Sequence, residues 1–188
     1  MAATVVIKQW TGSGPTETTI TNLRYKAADD PSGTDTTYPL IKPSSGTNYS
    51  YVATVVPYAT VAPTGTINNV KWYTDGSNTY GTGVTLKGIV LAQGSYSQAT
   101  GTSGTSGDLS AAVYTSGTDM FTYSSGSPLS VSGSLVSTTG DGTFQLVQSQ
   151  MALSTSVSAG TLSAETFTFR YDETCSVPAV ACTVIYTR

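Results

Sequence analysis

Residues 164–172 read Ala-Glu-Thr-Phe-Thr-Phe-Arg-Tyr-Asp, and this stretch decides the fold class. Phe167, Phe169 and Tyr171 alternate with threonines and one arginine, so an extended chain puts three rings on one face and polar groups on the other. The period is two residues, whereas a helix needs about 3.6. The stretch therefore predicts a β-strand that packs against a core through one face.

The same period recurs along the whole chain, with turn residues between the runs. Eight to ten strands at this spacing predict an all-β fold, an antiparallel β-sandwich or jelly roll that occupies residues 1–188 as a single domain. Pro57 is expected to end its strand and Gly88 to mark a bulge. The expected strands cover residues 3–10, 18–26, 48–58, 66–75, 83–92, 119–124, 129–136, 143–153, 164–172 and 180–187.

Two long segments lack this alternation and are expected to be surface loops. Residues 27–48 are interrupted by Pro, Gly and Asp, and residues 94–107 are a low-complexity run of Gly, Ser and Thr. Loops of this length are expected to contact a neighbouring subunit. The single helical candidate is 108–114, with Asp108 as its N-cap.

The composition excludes several classes of function. The chain of 188 residues has no histidine, 10% charged residues and a net charge of −3. Histidine is the usual acid–base group near neutral pH, so we expect no enzyme and no cofactor. The eight Lys and Arg are scattered, which argues against nucleic-acid binding. Without a long apolar run or an export signal, the sequence predicts a protein made in the host cytoplasm that does not enter a membrane.

The carboxylates suggest one candidate metal site. Asp29, Asp30 and Asp35 lie in one short loop, and hard cations such as Ca²⁺ prefer clustered carboxylate oxygens. The competing interpretation is an ordinary polar loop, because the spacing matches no EF-hand. The other aspartates neighbour turn residues, and the serines have no histidine to activate them, so no catalytic residue is predicted.

Cys175 and Cys182 are the two cysteines, with Pro178 between them. A disulfide would close a short loop near the C-terminal strand, and two reduced, half-buried thiols are the equal alternative. Without histidine, two cysteines do not form a zinc site.

Trp10 and Tyr80 are candidates for stacking on a sugar ring. All-β modules bind glycans through exposed aromatic side chains, and this predicts that one of these rings is exposed. The alternative is that both contribute to the core, as large aromatic residues usually do.

Three segments resemble small all-β structural proteins of tailed phages and archaeal viruses, which decorate or form capsids. They are Tyr-Pro-Leu-Ile-Lys-Pro-Ser-Ser-Gly-Thr-Asn-Tyr-Ser-Tyr at 38–51, Asn-Val-Lys-Trp-Tyr-Thr-Asp-Gly at 69–76 and Gly-Thr-Gly-Val-Thr-Leu at 81–86. The resemblance covers about the middle third of the chain and implies no functional residue.

The sequence therefore predicts a non-enzymatic virion structural protein, either a capsid decoration or cement protein or a coat subunit. Its partners would be further copies of itself and a coat-protein lattice at the virion surface, and residues 1–10 could add to a neighbour's sheet. A glycan-binding β-sandwich module and an extracellular pilus or filament subunit joined by strand exchange are the alternatives.

Overall fold

The protein is described by a computed structural model that covers residues 2–32, 37–107, 112–174 and 181–187. Its strands are β1 (Thr4–Thr11), β2 (Thr16–Ile20), β3 (Thr47–Tyr49), β4 (Ala53–Val61), β5 (Thr66–Tyr73), β6 (Val84–Leu91), β7 (Gly101–Thr102), β8 (Ser106–Gly107), β9 (Thr118–Asp119), β10 (Leu129–Val131), β11 (Leu135–Val136), β12 (Leu146–Ser154), β13 (Thr168–Thr174) and β14 (Ala181–Thr187). The helical elements are α1 (Ala112–Ser116) and 3₁₀ turns at Gln93–Ser95 and Met120–Thr122.

Two antiparallel sheets form the fold. Sheet A has the strand order β2-β1-β4-β12-β6-β9, with β3 also paired to β12. Sheet B has the order β10-β5-β13-β14, with β11 also paired to β5. The strand β12 lies at the centre of sheet A, because β4 and β3 share one of its edges and β6 pairs with the other.

The two sheets pack face to face around one apolar core. Side chains of the inner face of sheet A, including Val55, Leu86 and Met151, join Val70 and Phe169 of sheet B in this core. Each large apolar side chain buried here stabilises the fold by about 1.5–3 kcal/mol. The prediction of an antiparallel all-β sandwich is confirmed, and the jelly-roll connectivity stays a prediction.

The outer face of sheet A is also covered, and the cover is a segment that the sequence predicts to be a loop. Residues 93–107 and 112–119, called the covering segment here, contain a 3₁₀ turn, the hairpin β7–β8, α1 and β9. The amide of Gly104 donates to the carbonyl of Ala27, and the helix α1 packs on β6 and β12. The low-complexity run is therefore part of the packed structure.

Several strand predictions are wrong in extent. The strand expected at 18–26 ends at Ile20, and the strand expected at 48–58 is split between β3 and β4. The strand expected at 119–124 is β9 followed by a 3₁₀ turn, and the one at 129–136 is β10 and β11. At the 3₁₀ turn, the amide of Tyr123 donates to the carbonyl of Met120, a local bond that ends the strand and that periodicity does not detect.

Pro57 and Gly88 behave differently from their predictions. The strand β4 continues through Pro57 to Val61, since β12 pairs with β4 only as far as Val55 and leaves the second edge at Pro57 without a strand partner. A missing N–H is tolerated at such an edge. Gly88 is in regular register with Ser149, and a Cβ there would lie 2.2 Å from Met120 Sδ.

The segment expected to pair with a neighbour belongs to this chain's own sheet. The strand β1 lies between β2 and β4 and pairs with both along most of its length. Residues 7–10 are paired on both edges, so the prediction that residues 1–10 add to a neighbour's sheet is wrong for them and stays a prediction for the residues before them.

Candidate functional site

A cavity opens between the two sheets at one end of the sandwich. Its volume is about 820 Å³, within the range of ~300–1,000 Å³ that is typical of small-molecule sites. Its floor is apolar and comes from both sheets. The floor residues are Ile7, Val55, Met151 and Leu153 on one side and Trp72, Phe167 and Phe169 on the other.

Two irregular segments form the walls of this cavity. Residues 20–26 follow β2, and residues 157–165 precede β13. On the floor, the rings of Trp72 and Phe167 stack with their centroids 5.3 Å apart and an angle of 25° between their planes. Trp72 belongs to β5 and Phe167 directly precedes β13, so this stacked pair lies on the sheet B side of the cavity.

The polar groups of the cavity are few and defined. The hydroxyl of Tyr25 lies 2.7 Å from Ser149 Oγ, and burial raises the pKa of this tyrosine against the lowering effect of that hydrogen bond. Glu165 accepts hydrogen bonds from the amide and the hydroxyl of Thr79. Burial raises the pKa of Tyr80, and the charges of Tyr25 and Glu165 add to the shift.

Positive charge is concentrated at this cavity. Arg24, Lys26 and Lys42 line it, which is three of the eight Lys and Arg in the chain, whereas Glu165 is one of eleven Asp and Glu. Lys42 is exposed, and Lys26 is buried with its Nζ 2.8 Å from Asp30 Oδ2. Because Asp30 compensates the charge of Lys26, the exposed Lys42 is a cation that the rim presents to solvent.

The candidate calcium loop uses its carboxylates for structural contacts. Asp29 Oδ2 accepts from the amide of Gly12 at 2.8 Å and from Gln98 Nε2 at 3.3 Å. Asp30 pairs with Lys26 and also accepts from Ser32. Asp35 lies outside the described residues, and no group of three His, Cys, Asp or Glu in the described part could hold a metal ion.

The acidic side chains Asp29 and Asp30 also line a second, open pocket of about 470 Å³, which adjoins the Lys26–Asp30 pair. Burial acts to raise the pKa of Asp30, but hydrogen bonds from Lys26 and Ser32 outweigh it and lower the pKa below the ordinary value. The pair therefore fixes the buried ammonium of Lys26, which is costly to leave without a partner.

Trp10, a candidate for glycan stacking, is not exposed. Only 8% of its surface is accessible, and Tyr96 of the covering segment packs edge-on against it with centroids 5.3 Å apart. The hydroxyl of Tyr96 donates to the carbonyl of Gly12 at 3.1 Å. Burial, with a contribution from the charge of Asp29, raises the pKa of Tyr96 to about 12.

Tyr80, the second stacking candidate, is half-buried. Its ring packs edge-on against Phe121 at 6.0 Å, and it lines the cavity between the sheets rather than an outer surface. The two candidates are therefore far from forming one sugar platform, since Trp10 lies on the outer face of sheet A.

The glutamates occupy three separate environments. Glu17 forms an ion pair of 3.0 Å with Lys8, whose Nζ also lies 3.3 Å from the centre of the Tyr58 ring. Glu165 is held by Thr79 as described. Glu173 is completely buried, and its two carboxylate oxygens accept from the amide of Ala3 at 3.1 and 3.0 Å.

The free edges of the sheets are the remaining candidate sites. The edge strands of sheet A are β2, which carries Glu17, and β9, which has two residues. One edge of sheet B is divided between β10 and β11. The other edge is β14, seven residues without charge, Gly or Pro, and it pairs only with β13 among the described residues.

The candidate disulfide between Cys175 and Cys182 falls outside what the structure describes. Cys175 is not among the described residues, and of Cys182 only its place in β14 is described.

No helix among the described residues is long and apolar enough to cross a membrane. A comparison with protein-family models, curated proteins and solved structures finds no match to this chain.

Sequence reasoning missed the cavity between the sheets. Phe167 and Phe169 of its floor are predicted as a strand face and residues 18–26 as a strand, but the structure puts Arg24 and Lys26 in the irregular wall. The signal that was available is local: Arg24, Lys26 and Lys42 are close in sequence in a chain that has few cations.

Proposed function

We propose that this chain is a non-enzymatic structural subunit of a virion that decorates or cements a capsid, or belongs to its coat. The observation that supports assembly is the edge strand β14, which pairs only with β13 among the residues that the structure describes. Its seven residues, Ala-Cys-Thr-Val-Ile-Tyr-Thr, contain no charged side chain, glycine or proline. Natural sheet proteins usually protect such an edge with charge, proline, a bulge or a short strand.

The other sheet edges carry such protection. The strand β2 is five residues long and holds Glu17, and β9 has only two residues. The edge formed by β10 and β11 is interrupted at Gly133. The contrast favours β14 as the contact edge of sheet B, with a second copy of the chain as its partner.

An antiparallel pairing of two β14 strands would join two copies about a two-fold axis. Such an interface is self-complementary, because each copy presents the same edge to the other. Main-chain hydrogen bonds supply the affinity of a strand addition. The low charge of the chain limits repulsion between subunits, and many weak contacts add through avidity on a symmetric lattice.

The two alternatives have less support. A glycan platform needs an exposed ring, but Trp10 is buried and Tyr80 lies edge-on to Phe121. A filament joined by strand exchange needs a sheet that lacks a strand, whereas β1 occupies its place between β2 and β4.

The test of the contact edge is a charge placed on β14. Thr183 is opposite Asp172 in the register of β13 and β14, so Thr183→Lys gives a favourable cross-strand pair in the monomer but puts like charges into a β14–β14 interface. The matched control is Thr16→Lys on the exposed edge strand β2, opposite Thr11.

Sedimentation velocity over a range of concentrations is the measurement. We expect the unmodified chain and Thr16→Lys to self-associate and Thr183→Lys to remain monomeric. A monomer at every concentration for all three proteins, or equal association of all three, would overturn the role of β14.

The virion assignment has a separate test. Antibody labelling of particles released by lysis of the cells that carry the gene should place the protein on the particle surface in electron micrographs. Labelling confined to cell-surface filaments or to soluble material would refute the virion assignment even if β14 pairs.

A further inference from the structure

The cavity between the sheets has two features that the assembly role leaves unused. Its floor is apolar, with Trp72, Phe167 and Phe169 facing Met151 and Leu153. Its rim carries three of the eight cationic residues of the chain and one of the eleven acidic residues. An apolar interior with the exposed Lys42 at its rim complements a molecule that is apolar along its length and anionic at one end.

We propose that this cavity binds a single-chain anionic amphiphile, such as a free fatty acid, with its alkyl chain on the aromatic floor and its carboxylate beside Lys42. Apolar surface in contact with water costs about 25 cal/mol per Å², so an alkyl chain that fills the space gains affinity from the surface it covers. The volume of about 820 Å³ is large enough for a ligand of this class.

The charged groups around the opening favour an anion over a cation. Glu165 is engaged by the amide and hydroxyl of Thr79, and Lys26 is paired with Asp30. Lys42 is exposed at the rim, and the Arg24 guanidinium lines the same opening. An anionic headgroup beside Lys42 would therefore gain an ion pair, whereas a cationic headgroup there would be repelled.

Trp72 provides a direct reporter of occupancy. The chain has two tryptophans, and Trp10 lies on the outer face of sheet A, packed against Tyr96. In a Trp10→Phe variant of the full chain, Trp72 is the single tryptophan and lies on the cavity floor. Dibromostearate quenches a tryptophan only at short range, so saturable quenching of this variant reports binding inside the cavity.

Competition defines the headgroup preference. Laurate should displace dibromostearate, and dodecyltrimethylammonium, which has the same chain length and a cationic headgroup, should displace it poorly. In the same Trp10→Phe background, Lys42→Glu should weaken the affinity about two- to fivefold, which is the range that an exposed ion pair provides. Lys71→Glu is the matched control, since Lys71 bonds Ser130 outside the cavity.

A blocking variant tests the chain site independently of the rim. Leu162 is half-buried in the wall, so Leu162→Glu puts a carboxylate into the cavity and should abolish saturable quenching. Val136→Glu is its control, at an exposed valine outside the cavity. Circular dichroism of each variant shows whether the sandwich is retained.

Other outcomes would overturn the proposal. Absence of saturable quenching excludes the ligand, and equal competition by the cationic amphiphile excludes the anionic preference. Co-sedimentation with phosphatidylglycerol vesicles without quenching by free fatty acid would assign the rim to a membrane surface. A dimer that Leu162→Glu dissociates, without quenching, would show that a second copy of the chain fills the cavity.

Discussion

The two faces of sheet A are covered in different ways. On the outer face, the covering segment lies directly on the strands, and a Cβ at Gly107 would be 2.0 Å from the carbonyl oxygen of Ser50. On the inner face, sheet B lies opposite, but at one end large rings leave a cavity of about 820 Å³. The outer face packs against a segment with small residues, whereas a cavity bordered by large rings lies at one end of the inner face.

Side-chain size alone therefore does not predict how tightly a face of the sheet is packed. Glycine allows two backbones to approach to a distance that any side chain would prevent. The outer cover is completed by the edge-on pairs Trp10–Tyr96 and Tyr49–Tyr114, whose centroids are 5.3 and 4.7 Å apart. Trp72 and Phe167 stack on each other instead, with Trp72 only 3% exposed and the half-buried Phe167 bordering the cavity.

The largest expected effect compares one ring from each face. Trp10→Ala should lower the free energy of unfolding by about 3–5 kcal/mol, as expected for a large buried aromatic residue. Phe167→Ala should cost only about 1–2 kcal/mol, because this ring is half-buried and borders an existing cavity. Urea unfolding of both variants is the measurement, and equal losses would contradict the distinction between the two faces.

The next effect concerns the close approach of the covering segment. Gly107→Ala should destabilise the protein by about 1–3 kcal/mol. The new methyl group would overlap the backbone carbonyl of Ser50, the residue that follows β3. Gly14→Ala is the control, since nothing lies within 4 Å of a Cβ there. The thermal midpoint should fall for the first variant and stay within error for the second, and identical midpoints would show that the cover is loosely packed.

The smallest effect concerns the ion pair at the junction of the two regions. Lys26 lines the cavity, while the next residue, Ala27, bonds to Gly104 of the covering segment. The folded-state pKa of Asp30 is lowered, so its stabilisation is complete above the ordinary aspartate pKa of 3.8 and is lost as the pH falls through the lower folded-state pKa.

The substitution Asp30→Asn should therefore cost about 1 kcal/mol at neutral pH and less in acid. Urea unfolding of the variant and the unmodified chain at several pH values measures this difference. A gap between the two proteins that stays constant into acid would contradict the role of the Asp30 carboxylate.

Much of the fold was predictable from alternation. The strands β1, β5 and β6 lie within a residue or two of their predicted bounds, because each has one face on the core and one face away from it. The central strand β12 was predicted, but its beginning was not, since both of its faces are buried and alternation is weak there. Residues 21–26 alternate like a strand, yet they form a cavity wall, where the Tyr25 hydroxyl bonds Ser149 Oγ and the Lys26 carbonyl accepts from the amide of Tyr51.

Less of the candidate sites was predictable. Asp29 and Asp30 were recognised as a polar cluster, but their partners Gly12, Gln98 and Lys26 depend on how three segments meet. The cavity depends on the distance between two sheets, which no local pattern encodes. The edge position of β14 also follows from strand order, not from its own seven residues.

The shortage of charge follows directly from the residue types of the sequence. The all-β class and the face formed by Phe167, Phe169 and Tyr171 follow from its period of two residues. Only the tertiary structure decided which face of each sheet is closed and which edge remains open. The physical reason is that burial and pairing depend on what lies opposite a residue. For Trp10, Gly107 and Trp72, the groups opposite come from segments distant in the chain.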